Sequence, residues 1–405
     1  MFRLRPMPTP SRVWPLPTLL APLLLTLAAC GGTPPESNGA AQPPADGEGG
    51  DPAVVAKAEP SPEPTPEVEP EPAPEPEAVD PWGPITPERR AIMLAGDEEE
   101  RITTPEHYVK TNERRHDVWF PYIADKQGIY VGVAADQNYT LIAVAKSEYV
   151  FLMDLDWRIT ELHRAYEVLI EASETPQQLH ERYQAKNEEA SVALIEEALR
   201  DQLPADQLRQ VVISWRSARE TVYLHLENVI NRDQDGVNTS WLSNPEYYAH
   251  IRKLYQNDRV RMLVGNLTGP TTLQTIAKAA EGLGLPVQVL YLSNAEEYYD
   301  YTPQYRENIK ALPIADDSVV LRTIYSKKWV HADALWNYQV QPLADYQTRL
   351  GDPKNSRRNR MLDYAGTDKV LEKNLDDVNG LSRVNIGLLP GWGGSGDAGD
   401  AAGSE

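Results

Sequence analysis

Ile129-Tyr130-Val131-Gly132-Val133-Ala134-Ala135-Asp136-Gln137-Asn138-Tyr139 is an apolar run that breaks into a small-residue turn and then a polar helix start. Five consecutive residues without a charge read as a strand buried on both faces, the habit of parallel sheets. Nearly continuous apolar runs recur at 149–153, 260–264, 287–292 and 318–325, with Arg261 and Arg322 the charged residues in them, and a further candidate lies at 337–340. Helical periodicity fills the intervals, at about 138–147, 157–173, 177–201, 206–230, 245–257, 270–283 and 294–311. Strands alternating with helices predict an α/β fold with a mostly parallel sheet. Residues 157–257 carry helical periodicity and no strand, so they are expected to form a helical insertion between strands two and three.

In open parallel sheets, ligands bind at the carboxyl ends of the strands, near the point where strand order reverses. The residues that follow each strand are therefore the candidate site. They are Gly132 and Asp136 after strand one, Asp154 and Asp156 after strand two, Asn266 after strand three and Asn294 after strand four. Asp136 and Asn138 suit a ligand or the cap of the next helix equally, because short polar side chains satisfy free amides at a helix start. Ser293-Asn294-Ala295-Glu296 has the spacing of a capping box, which favours a structural role there. Asp154 is the strongest single candidate. A carboxylate directly after an apolar strand needs a partner or water, although an N-cap role for the next helix stays open.

This order of parts resembles the class I S-adenosylmethionine-dependent methyltransferase fold, and also a group of bacterial lipoproteins that carry it. The second resemblance covers most of 115–345, through Gly132 to Thr140, Phe151 to Asp156, Ser240-Trp241-Leu242, Leu263 to Thr268 and Leu290 to Pro303. It implies a Rossmann-like, methyltransferase-like sheet, with Asp154 and then Asp156 at the ribose position, Asn266 near adenine and Asn294 near methionine and substrate. S-adenosylmethionine is the cofactor implied by fold resemblance alone. The sequence departs from the family at its glycine loop, where three alternate glycines follow an acidic residue. Aligned on Gly132, those positions hold Ala134 and Asp136, and the acidic position holds Tyr130.

The only cysteine, Cys30, closes Leu27-Ala28-Ala29-Cys30-Gly31 behind Arg3, Arg5, Arg12 and the apolar run Leu16 to Leu27. That order resembles the lipoprotein signal family, in which the cysteine is acylated and becomes the first mature residue. It implies a signal peptide over 1–29 and anchorage to membrane lipid through Cys30. Gly31, in place of the aspartate of inner-membrane retention, favours the outer membrane. Residues 30–84 read as a lipidated start and a disordered Pro/Glu-rich linker. Residues 85–390 read as the α/β domain and 391–405 as a disordered tail. Outside the cytoplasm, S-adenosylmethionine has no evident supply.

Net charge is −21, and residues 33–80 hold twelve acids against the single base Lys57. An acidic domain on an acidic tether excludes nucleic acid as a partner. Without a second cysteine, the domain has no internal disulfide and no cysteine metal site. None of the seven histidines has zinc-type spacing, and His163 and His180 sit in helical patterns as surface or packing residues. No Gly-x-Ser-x-Gly elbow is present. Asn231-Arg232-Asp233-Gln234-Asp235-Gly236 resembles the start of a calcium loop, but Leu242 stands where that loop needs glutamate. Tyr298, Tyr299, Tyr301 and Tyr305, with Trp329 and Trp336, suit a pocket lining or a wet edge of the core.

The sequence thus predicts a lipid-anchored envelope protein with a Rossmann-like domain that binds a small molecule or an envelope protein. Two alternatives stand beside it: an active methyltransferase-like enzyme with an unknown acceptor, and a structural module of the outer membrane.

Overall fold

The strands predicted from apolar runs form where expected, because each run is buried on both sides. In the computed structural model, residues 80–327, 329–362 and 371–384 are described. Cys30, the linker up to residue 79 and the tail from 391 lie outside them.

The strands are β1 (Ile129–Val133), β2 (Tyr149–Asp154), β3 (Asp233–Gln234), β4 (Val237–Asn238), β5 (Val260–Val264), β6 (Val287–Tyr291), β7 (Val319–Ile324), β8 (Asn337–Pro342), β9 (Leu371–Lys373) and β10 (Leu381–Val384). The helices are α1 (Pro87–Leu94), α2 (Phe120–Ile123), α3 (Gln137–Ala145), α4 (Trp157–Glu171), α5 (Pro176–Arg182), α6 (Glu188–Leu199), α7 (Ala205–Ile230), α8 (Pro245–Gln256), α9 (Thr272–Leu283), α10 (Pro303–Ala311), α11 (Leu343–Leu350) and α12 (Arg358–Met361).

Eight strands form one sheet in the order β5-β2-β1-β6-β7-β8-β10-β9. β5, β2, β1, β6 and β7 are mutually parallel, and β8 turns antiparallel against β7. The fold is a Rossmann-like α/β fold, and its order reverses between β1 and β6. Alternate residues feed two cores. Tyr130, Val150 and Leu152 pack under α3, α4 and the insertion, whereas Ile129, Val131, Phe151 and Met153 pack with α1, α9, α10 and α11. This two-sided burial is why the strands show no polar alternation.

Helix starts follow local chemistry. Thr86, Thr175, Asn244 and Thr302 each cap a helix whose first residue is proline, and each side chain accepts an amide from the first turn. Two expected helices are interrupted. The run 177–201 breaks after α5 into a short 3-10 turn at Ala185–Asn187 before α6. The run 294–311 is a 3-10 turn at Ala295–Glu297 and, after a gap, α10, which restarts at the Thr302-Pro303 cap. The helical insertion also contains a two-residue hairpin, β3–β4. Its turn residues Asp235 and Gly236 have φ of 53° and 80°, the geometry that favours an Asp-Gly turn. The stretch resembling a calcium loop is this hairpin. Among the described residues no three His, Cys, Asp or Glu side chains are grouped to hold a metal ion.

The capping-box reading of Ser293 to Glu296 is overturned. Ser293, the residue that would cap, donates its hydroxyl to Glu113 at 2.7 Å, and Glu296 turns into the core. Its carboxylate pairs with Arg322 Nε at 2.7 Å and accepts the hydroxyls of Tyr346 (2.7 Å) and Tyr301. Arg322 is itself fully buried and donates to Gln339 (2.8 Å) and Gln341 (2.6 Å), with Tyr346 stacked 4.7 Å from its guanidinium. Arg322→Ala should cost about 3–5 kcal/mol in a urea unfolding titration, because it strands a buried carboxylate. The double change Glu296→Gln with Arg322→Met should cost less than Arg322→Ala. Equal or greater loss in the double variant contradicts this account.

Candidate functional site

Small and polar residues end each parallel strand, so the carboxyl edge of the sheet is where a ligand crevice is expected. The chain crosses that edge itself. Residues 97–115, joining α1 to a 3-10 turn at His116–Trp119, run as a strap over the ends of β5, β2, β6 and β7. The strap is fixed by carboxylates. Glu98 accepts the Val264 amide at 2.9 Å, and Glu99 accepts the Thr271 and Thr272 amides at 2.8 and 3.2 Å. Glu99 thereby occupies the amino terminus of α9, where free amides and the helix dipole attract an anion. A Cβ on Gly269 would lie 2.3 Å from its Oε1, so glycine there makes room for the protein's own carboxylate.

At the far end, Glu113 is buried. It accepts His116 Nε2 (3.0 Å), Tyr291 Oη (2.8 Å), Ser293 Oγ (2.7 Å) and Thr323 Oγ1 (2.8 Å). In the middle, Thr104 donates its amide and hydroxyl to Asp156 at 2.7 and 2.9 Å. Residues 105–110, between those anchors, hydrogen-bond to no strand.

Asp156 is the N-cap of α4, accepting the Arg158 amide at 2.9 Å and pairing with its guanidinium at 2.5 Å. Burial pushes its pKa up, but Arg158 and Thr104 hold it well below the usual carboxylate range. It is a structural anchor. Asn266 accepts the amide and hydroxyl of Thr268 at 2.9 and 2.8 Å and shapes its own turn. Asn294 reaches Glu297 and Tyr298 at 3.4 and 3.5 Å on the rim.

The loop after β1 is filled from inside. A Cβ on Gly132 would sit 2.0 Å from Asn138 Oδ1 and 2.5 Å from the Tyr130 ring. Asn138 accepts the Tyr130 hydroxyl (2.9 Å) and donates to the carbonyls of Val133 and Ala135 (2.8 and 2.7 Å). Neither Asn138 nor Asp136 caps α3, since Asp136 points into the insertion. There it accepts His225 Nε2 at 2.9 and 3.0 Å and Trp241 Nε1 at 3.2 Å. Burial alone raises its pKa, yet His225 and Trp241 leave it below the ordinary value.

Ala134 holds a left-handed φ of 69°, a conformation unfavourable for a residue with a Cβ. His163 secures it. Its Nε2 must donate to the Ala134 carbonyl (2.8 Å), so its Nδ1 accepts the Tyr139 hydroxyl (2.7 Å), and Tyr139 accepts that of Tyr255 (2.8 Å). Burial lowers the His163 pKa to about 4 and keeps this neutral tautomer. His163 is thus a buried linker between insertion and loop. His180 stacks on Tyr223 with ring centroids 4.4 Å apart, a packing role as expected. Ser293, after β6, has a second left-handed φ of 48°. The two strained residues flank the reversal of strand order, as strain at binding sites commonly does.

Asp154 remains. One oxygen accepts the Asp156 amide at 2.9 Å, and among the described residues no side chain pairs with it. Burial pushes its pKa up to about 7, against the downward pull of the Asp156, Ala134 and Leu155 amides. Of the six sequence-derived site residues, Asp154 has a carboxyl that backbone amides alone hold among the described residues, and Asn294 is half-buried on the rim. Asp136, Asp156, Asn266 and Gly132 serve internal structure. The sequence reading missed Glu99, Glu113 and the His163 linkage. Glu99 lies in the acidic run Asp97-Glu98-Glu99-Glu100, which reads as solvated charge.

The family described as a domain of unknown function, DUF7790, matches residues 108–385, and the chain belongs to it. No curated protein matches the chain.

Because Asp154 binds its proton more tightly folded than unfolded, it favours folding most at acid pH. That contribution falls as pH rises from its unfolded value near 4 to about 7. Asp154→Asn should therefore gain in urea midpoint relative to the parent from pH 4 to pH 8. A constant difference across that range contradicts the raised pKa.

Proposed function

We propose that this chain is an exported, lipid-anchored protein whose strand-end crevice binds a small ligand without methyl transfer. The observation that carries the reading is occupancy by the chain itself. Asn138 and Tyr130 fill the space beside Gly132, Glu99 takes the amides of α9, and Asp136 is committed to His225 and Trp241. The residues present do not fit S-adenosylmethionine. Its amino-acid carboxylate would meet the β-carbon of Ala134 and an acidic loop, in place of a glycine cradle. Asp154 alone keeps the ribose-reading character that the fold resemblance gives it.

The address rests on the lipoprotein-like signal that ends at Cys30. Among the described residues no helix is long and apolar enough to cross a membrane. Acyl chains, at about 0.8 kcal/mol per buried methylene, supply the anchor in this reading.

Two measurements test the proposal. Isothermal titration of the full chain with S-adenosylmethionine and S-adenosylhomocysteine should give no heat at about millimolar ligand. Binding at about micromolar Kd, abolished by Asp154→Ala, would overturn the reading. In cells fed an alkyne-tagged fatty acid, the chain should carry the label and Cys30→Ser should lose it. Label retained in Cys30→Ser would refute the anchor.

A further inference from the structure

Ten large apolar or aromatic side chains are exposed among the described residues, and six gather at the carboxyl edge of the sheet. Ile102 bridges to Asp156, and Leu155 follows β2. Tyr108 stands on the strap with its hydroxyl beside that of Tyr298, which follows β6. Tyr325 and Val330 follow β7. Exposed apolar groups scatter singly over most soluble surfaces, so concentration at one edge points to contact with something.

The polar groups between them define what that something is. Asp154 ends β2 and Asn294 follows β6, with β1 between, a separation of two strand spacings or about 10 Å. One is a carboxyl and the other an amide, the two groups that read hydroxyls in both directions. Asn294 reaches the Tyr298 hydroxyl at 3.5 Å, so amide and ring belong to one surface. Three acids around them already have partners. Asp156 pairs with Arg158 at 2.5 Å, Glu297 with Arg358 at 2.6 Å and Asp300 with Arg357. Glu99 is held by helix amides and Glu113 by four donors. The amides of α9, which would otherwise draw an anion to this edge, are filled by Glu99.

We infer that the edge bounded by Tyr108, Tyr298, Asp154 and Asn294 binds a neutral, polyhydroxylated ligand, a saccharide. The tyrosine rings receive the apolar faces of the sugar, and Asp154 and Asn294 take its hydroxyls. The inference rests on the proposal that this crevice is a binding site, and names its ligand class.

The test uses the full chain in a detergent without a sugar headgroup, with maltotriose, N,N′,N″-triacetylchitotriose, 3′-sialyllactose and choline as probes. Saturation-transfer NMR should show transfer to the carbon-bound protons of a neutral trisaccharide at about 10 mM and weaker transfer to the sialylated one and choline. Tyr298→Ala and Asp154→Asn should each weaken that binding about tenfold, and Tyr298→Ala should leave the melting temperature unchanged because its ring is exposed. Absence of transfer from both neutral trisaccharides overturns the inference, as does equal transfer in both variants or preference for the anionic or cationic probe. If S-adenosylmethionine also fails to bind, the proposal of a binding module without methyl transfer stands with another ligand class. If S-adenosylmethionine binds and displaces the sugar, that broader proposal falls.

Discussion

The buried carboxylate of Glu113 is the constraint on which the strand-end architecture depends. Removing a carboxylate from water costs several kcal/mol unless its lone pairs are met. Here they are met by hydroxyls from the ends of β6 and β7 and by the imidazole of His116. Those donors can converge only if the segment before them lies across the edge of the sheet. The strap therefore follows from where Glu113 must sit. Glu99 repeats the logic at the other end, where the amides of α9 stand in for water. A parallel sheet leaves its carboxyl edge open, and this chain closes much of it with its own acids.

The helical insertion is tied to that edge by hydrogen bonds of fixed direction. Tyr255 donates to Tyr139, Tyr139 to His163, and His163 to the carbonyl of the strained Ala134. Asp136, two residues on, is drawn the other way by His225 of α7 and by Trp241. The loop after β1 is thus shaped from behind, by groups that face no ligand. This accounts for an acidic residue and a β-carbon at positions where a cofactor loop needs glycine. Local residue types there answer to the insertion.

The strands and most helices were legible because their information is local. Runs such as Val287 to Leu292 carry no charged residue, and pairs such as Thr302-Pro303 mark a helix start. The same pair signalled the break that the reading of 294–311 as one helix passed over. β9 and β10 carry no apolar run long enough to stand out, and β10 pairs only through β8 and β9. Site legibility divided on tertiary contact. Asp154 was readable because a carboxylate ending an apolar strand is unusual by itself. Glu99 and Glu113 were not, since a glutamate in a polar segment is ordinarily solvated and only the folded sheet brings donors to it. Glu296 misled for the same reason: its spacing fits a capping box, and the buried Arg322 that claims it lies on β7.

The strap over the strand ends is the central claim, and hydrogen exchange reads it directly. The amides of Glu99, Thr104, Arg114 and Arg115 donate to Val264, Asp156 and the Tyr338 hydroxyl, whereas those of 105–110 donate to no strand. Residue-resolved exchange should find the four anchor amides protected and the stretch between them fast. Fast exchange throughout 97–115 would contradict the account.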